Sequence, residues 1–148
     1  MRRLTDSTWI DSPPEAVWDW LSTMSEHYTD WHPDHVSAEW VSGEPNQVGS
    51  ILEAVEDLGA TREVLRLEMT SIDPPHGFEY RIRGPVAMLL PGGAFSVVSD
   101  GGGACFTAVI SYRFGRLTEL LFSRRTAALR RHMREEGENL KRLVESGR

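Results

Sequence analysis

Apolar and polar residues alternate through Leu4–Asp11, LTDSTWID, the period of a strand with one buried face. Ser12-Pro13-Pro14-Glu15 then reads as a helix start, with Ser12 as the cap, a proline in the first turn and Glu15 three residues after the cap. Ala16, Val17, Trp20, Leu21 and Met24 follow at helical spacing. The pattern breaks from His27 to Pro33, which leaves room for a short second helix. Period two returns at Val36. VSAEWVS, SILEAVEDL and TREVLRLEMTSI predict three consecutive strands, separated by turns at GEPNQVG and Gly59-Ala60. After the DPPHG turn, FEYRIRG predicts a fourth, and GPVAMLLPGG is an apolar connector. AFSVVSD and ACFTAVISYRF then form a hairpin around three glycines, and Leu117 to Val144 predicts one long amphipathic helix.

One strand, two short helices, six antiparallel strands and a closing helix make an α+β architecture in one domain, 1–148. Sequential hairpins curl such a sheet, and a long helix lying in the curl encloses a cavity. The element order, the opening WIDSPPEAVWDWL, Val48-Gly49, the IDPP turn at 72–75 and the closing helix together resemble the helix-grip fold. That is the fold of the START and Bet v 1 superfamily (SRPBCC), which includes polyketide cyclase-like proteins. The resemblance covers the whole chain and implies a curved sheet of about seven strands around the last helix. It does not choose a chemistry, because the fold hosts transport, cyclisation, signalling and hydrolysis.

Charge and composition narrow the partners. The net charge is −6, and arginines cluster only along the last helix, so nucleic acid is not an expected partner. MRRLTDSTWIDSPP lacks the apolar core of a signal peptide, and no window approaches the roughly 18 apolar residues of a membrane span. A single cysteine, Cys105, fits a reducing compartment, and a cytoplasmic protein is expected.

The last helix carries an anomaly. Its apolar stripe runs through Leu117, Leu120, Leu121, Ala128, Leu129, Met133, Leu140, Leu143 and Val144, and His132 and Glu136 fall within it. An uncompensated carboxylate there would cost several kcal/mol or be forced neutral. Arg125 or Arg131 could pair with it, or the His/Glu pair could hydrogen-bond to itself. Alternatively, two residues four apart on one helical face are spaced as metal ligands. Hairpin geometry gathers further candidates. A turn centred near Pro45-Asn46 sets His35 opposite Asp57 and next to Glu56, and the following turn sets Glu56 opposite Glu63. Those carboxylates either point inward and need a cation, or solvate a sheet edge together with Glu53.

WHPDH at 31–35, VEDLG at 55–59 and HMREE at 132–136 together resemble the zinc-dependent diacetylphloroglucinol hydrolases of this superfamily. These enzymes cleave the bond between an acyl group and a phloroglucinol ring. Their zinc is held by two histidines and two glutamates, the last His and Glu four apart on the C-terminal helix. The resemblance implies His35, Glu56, His132 and Glu136 as zinc ligands, with His32 and Glu63 as the alternatives to His35 and Glu56. It implies Tyr28 and His32 as candidate catalytic residues, with Tyr80 a further candidate for positioning substrate. Those hydrolases also carry an N-terminal portion with no counterpart in these 148 residues. The expectation is a hydrolase of a small aromatic or acylphenol-type ketone, holding Zn²⁺ ahead of Mn, Fe or Ni. The other reading is a metal-free carrier of small hydrophobic ligands or a cyclase-like protein. A homodimer is left open.

Trp18, Trp20, Trp31 and Trp40 read as core and cavity wall. Cys105 reads as an inert small hydrophobe, His76 as a solvated turn residue, and His27 as undecided. The glycines 101–103 lack the strand-then-helix context of a phosphate loop. The arginine run reads as the wet side of the last helix.

Overall fold

A computed structural model describes residues 2–58, 61–113, 115–121 and 123–147. Seven strands form one antiparallel sheet: β1 Arg2–Ile10, β2 His35–Ser42, β3 Ile51–Leu58, β4 Thr61–Asp73, β5 Gly77–Arg83, β6 Gly92–Asp100 and β7 Gly103–Tyr112. Their order is β1-β7-β6-β5-β4-β3-β2, so every neighbour except β1–β7 is a sequential hairpin. Two short helices, α1 Pro14–Ser22 and α2 Tyr28–Trp31, bridge β1 to β2. The chain ends in α3 Arg116–Leu121 and α4 Ser123–Glu145, and α4 lies across the concave face. This is the helix-grip architecture that the resemblance implies.

Local sequence explains most element boundaries. Leu52, Ala54 and Glu56 are buried on β3 while their neighbours are less so, the period-two signature of a strand with one inward face. On α1, Val17, Trp18, Trp20 and Leu21 are buried, and Trp18, Trp20, Trp31, Phe78 and Phe106 dominate the core by size. Trp40 is half-buried against that core. Cys105 is half-buried on β7, and His76 is exposed. Gly137 lets α4 approach β1 closely, since a Cβ there would come within 2.3 Å of Thr8 Oγ1.

Three expectations need correction, and a further one falls outside the described residues. Ser12 does not cap α1; Pro13 occupies that position in extended conformation and makes no side-chain cap. A proline at the first helical position needs no donor, so the helix starts without a cap. The second turn of the sheet, Gly59-Ala60, lies outside the described residues, as does Phe122 between the two described C-terminal helical segments. Leu117, Leu120 and Leu121 are not in the buried stripe and are 83%, 77% and 82% exposed. The reason is position: α3 packs mainly on α4 and is tied at its Glu119 to Arg2 and Tyr112, the residues where β1 begins and β7 ends. It lies past the covering sheet. Lastly, His35 pairs with Glu56 and not with Asp57. The hairpin runs in the expected register from Ser37 to Trp40, and an irregularity at Val36 then slips the ladder by one residue.

Candidate metal centre

Four elements bring the site together. The β2–β3 ladder sets His35 and Glu56 side by side on the inner face. One turn of α4 separates His132 from Glu136 and aims both at that pair. Helix α2 locks the seam. The Trp31 indole donates to the Glu136 carbonyl at 2.9 Å, and the Asn139 amide donates back to the Trp31 carbonyl at 2.9 Å. Tyr28 stacks flat on His35, ring centroids 3.8 Å apart, and its hydroxyl donates to Glu56 Oε1.

One ligand atom from each of His35, Glu56, His132 and Glu136 lies within 4.8 Å of the others, and all four residues are buried. This group could hold a metal ion. The chemistry of the donors says why something positive belongs there. His35 Nδ1 faces the Tyr28 carbonyl at 2.9 Å, an acceptor only, so that nitrogen carries the proton. His35 Nε2 then faces Glu136 Oε2 at 2.8 Å, with Glu56 Oε1 at 3.6 Å. A neutral imidazole would oppose its lone pair to a carboxylate, so a second proton or a cation must sit between them. His132 Nε2 approaches the same Glu136 oxygen at 3.2 Å and Glu56 Oε2 at 3.9 Å. Neither ring nitrogen of His132 makes a well-formed hydrogen bond, although both are buried.

The electrostatics carry the same message. Burial and the neighbouring Glu136 carboxylate push the Glu56 carboxyl upward, against the opposing pull of His132, His35 and the Tyr28 hydroxyl. Burial alone would raise Glu136, but His132 and His35 hold it well below the usual carboxylate range. Burial likewise works against a charged His132, yet Glu136 first, then Glu56 and Asp34, lift it to about 9. Burial followed by Glu56 and Glu136 raises Tyr28, and burial followed by Glu136 and Glu56 raises Tyr80, so both phenols stay protonated.

A second group, His32, Asp34 and His132, also lies within ligand reach. His32 is fully engaged, however. Its Nδ1 accepts the Asp34 backbone N–H at 2.9 Å, and its Nε2 lies 3.2 Å from Glu135 Oε1. Of the two histidines flanking Pro33, His35 therefore joins the four-residue group and His32 stands behind it.

The group opens on a cavity of about 240 Å³. Tyr28, Glu56, His132 and Glu136 line its inner end, while the exposed Arg125 and Leu89 mark the outer end. Between them the walls are Leu52, Leu67, Tyr80, Ile82, Phe95 and Ile110. Glu63 lines the cavity directly opposite Glu56 on the β3–β4 ladder, half-buried and outside the four-residue group. The edge-charge reading fails, because β3 is paired on both sides by β2 and β4, and its two other acids instead pair across to arginines of β4. Asp57 pairs with Arg62 at 2.8 Å, and Glu53 with Arg66 at 3.1 Å. His27 packs on Trp20, ring centroids 4.5 Å apart, and is not among the cavity residues. Sequence reasoning missed Asp34, whose carboxylate lies between two imidazoles, and the Trp31 clamp. The acid inside WHPDH was visible, but its neighbour on α4 was not.

A helix-grip domain with a buried His/Glu group at the end of an apolar cavity is the class these features define. Residues 1–145 match the family described as polyketide cyclase / dehydrase and lipid transport, and the chain belongs to that family. No curated protein matches the chain significantly. Among solved structures, it is similar to TTHA0849 from Thermus thermophilus, with 14% identity, TM-score 0.79 and 99% of each chain covered. It is also similar to MLL2253 from Mesorhizobium loti, with 18% identity, TM-score 0.72 and 98% of each chain covered. The di-domain ARO/CYC BexL of the BE-7585A biosynthetic pathway is a third, with 16% identity and TM-score 0.76 over 97% of this chain and 50% of that one. At these identities the likeness establishes the fold alone. No described helix is long and apolar enough to cross a membrane.

Proposed function

We propose that the chain is a zinc-dependent hydrolase acting on a carbonyl or the adjoining carbon–carbon bond of a small acylphenol-type ketone. His35, Glu56, His132 and Glu136 are its ligands. The observation that carries this reading is the approach of His35 Nε2 to Glu136 at 2.8 Å while Nδ1 is committed to a carbonyl. Two imidazoles and two carboxylates balance a divalent ion, and this buried N/O set suits Zn²⁺ ahead of Mn, Fe or Ni. A zinc ion there supplies Lewis acidity toward a carbonyl oxygen at the inner end of the cavity.

The chain's own residues do the rest. Apolar walls take the ring and exclude bulk water. Dry apolar cavities of roughly 150 Å³ already admit benzene, so about 240 Å³ suits a substituted single ring. Tyr28, kept protonated by burial, gives its single hydroxyl proton to Glu56 and so orients that carboxylate at the inner wall. Tyr80 presents a second protonated phenol to the same space. We give His32 the role of buttress between β2 and α4, since both its nitrogens are occupied. In the reaction the acyl carbon gains the hydroxyl of water and its bond to the ring breaks. The electron pair passes to the ring carbon, which takes up water's remaining proton, leaving a carboxylic acid and the deacylated ring.

The apolar walls also favour a second reading, a metal-free carrier or cyclase-like protein in which a protonated histidine offsets Glu136. Metal analysis of protein purified without a histidine tag, with acylphenol hydrolysis assayed before and after chelation, separates the two. Stoichiometric zinc and chelator-sensitive hydrolysis support the hydrolase. Ligand binding by metal-free protein without turnover supports the carrier.

A further inference from the structure

His132 reaches the four-residue group through Nε2, and its other nitrogen, Nδ1, lies buried 3.5 Å from Asp34 Oδ2 with no partner of good geometry. We propose that Asp34 is the positioning residue of the metal site, accepting the Nδ1 proton of His132 and so presenting Nε2 to the ion. The inference rests on the metal reading above.

Two alternatives for Asp34 are closed by the geometry. Its carboxylate is 3.6 Å from His32 Nδ1, but that nitrogen already accepts the Asp34 backbone N–H at 2.9 Å and has no proton to give. The remaining nitrogen of His32 is turned to Glu135. Of these two rings, only His132 can donate to Asp34. A second ion held by His32, Asp34 and His132 is disfavoured for the same reason, because it would have to displace that backbone hydrogen bond.

The two metal-facing histidines are thus fixed by different acceptors. His35 gives its Nδ1 proton to a buried backbone carbonyl, an acceptor that no side-chain change removes. His132 depends on a carboxylate whose side chain is 41% exposed. A carboxylate behind a ligating imidazole fixes the tautomer and raises the basicity of the metal-facing nitrogen, and losing one typically costs 10–100-fold in metal affinity. The Pro33-Asp34 corner of WHPDH therefore has a function beyond setting His35 on the strand.

The test is the zinc dissociation constant by chelator competition for wild type, Asp34→Asn, Asp34→Ala and Glu135→Gln, with the imidazole nitrogen NMR signals of His132 recorded in each loaded protein. Asp34→Ala should weaken binding roughly 10–100-fold and shift the Nδ1–H signal of His132. Asp34→Asn, which keeps an acceptor oxygen but not the charge, should fall between it and wild type. Glu135→Gln removes the same charge nearby without facing His132 and should change the constant far less. An unchanged constant in Asp34→Ala overturns the inference, and so does a loss in Glu135→Gln as large as in Asp34→Asn, which would make the effect one of charge alone. A wild type that binds no zinc removes the metal reading itself, an outcome distinct from either.

Discussion

Glu136 Oε2 lies 2.8 Å from His35 Nε2, joining the first residue of β2 to the middle of the closing helix across 101 positions of sequence. The carboxylate is buried and His132 shares it from one turn away. Glu136→Gln keeps the volume and removes the charge. It should weaken zinc binding roughly 10-fold or more, at least about 1.4 kcal/mol, and abolish acylphenol hydrolysis. Isothermal titration of both proteins checks it. In a metal-free carrier the same change should lower stability, because it leaves the protonated histidine that offsets Glu136 buried without its partner.

Chelation should lower the melting temperature. A ligand present at 100 times its dissociation constant stabilises the native state by about 2.7 kcal/mol, and each kcal/mol moves a domain of this size by roughly 2–4 °C. A fall of about 5–10 °C on adding a chelator is therefore expected for protein shown to be metal-loaded. Scanning calorimetry with and without chelator measures it, and no shift would count against His35, Glu56, His132 and Glu136 as ligands.

The inner face of the site was legible in sequence because it obeys two periods. His132 and Glu136 announce themselves by interrupting an apolar helical stripe, and Glu56 shares its strand face with Leu52 and Ala54. What was not legible is where periodicity stops. The slip at Val36 that moves His35 from Asp57 to Glu56 depends on how the strand enters the sheet from α2, which no spacing rule records. The exposure of Leu117, Leu120 and Leu121 has the same origin, since a helix pattern tells which face is apolar and not whether a sheet lies beneath it. Asp34 and Trp31 escaped because their partners lie about a hundred residues away.

Tyr28→Phe isolates the hydroxyl, since the ring stacked on His35 is kept. Glu56 loses its donor. The metal-free variant should be less stable by about 1–3 kcal/mol, the cost of a buried acceptor left without its partner. With zinc bound, the ion takes up that oxygen and the difference should shrink. Denaturant unfolding of both forms tests this, and an equal loss in the two would indicate that Glu56 does not face the ion.

The pH dependence that His132 lends to stability should be removed by the metal. In the metal-free protein the folded His132 titrates at about 9, above its ordinary 6.5. A group raised on folding stabilises fully below its unfolded value and loses that contribution as pH rises through the folded one. The metal-free melting temperature should therefore decline between about pH 6.5 and 9 from this group. Zinc requires the neutral ring, so the extra stability zinc confers should grow with pH over the same window. Paired melts with and without zinc test both slopes, and a zinc increment that shrinks with rising pH would sink the assignment of His132.

Gly137 stands next to Glu136 and faces β1, where an added Cβ would come within 2.3 Å of Thr8 Oγ1 and 3.4 Å of Asp6 Oδ2. Helix propensity favours alanine over glycine by about 1 kcal/mol, whereas overpacking a close seam costs about 1–3 kcal/mol. The clash should win, because the added Cβ would also meet Thr8 Cβ at 3.3 Å and Asp6 Oδ2 at 3.4 Å, contacts that turning the Thr8 hydroxyl away does not relieve. Gly137→Ala should thus destabilise the fold, and by pushing α4 off β1 it should also loosen His132 and Glu136 from His35 and weaken zinc binding. Thr8→Ala in the same protein removes the obstructing oxygen, and it should restore part of both the stability and the zinc affinity. If Gly137→Ala alone is more stable than wild type, the seam is looser than the close approach implies, and the placement of Glu136 does not depend on it.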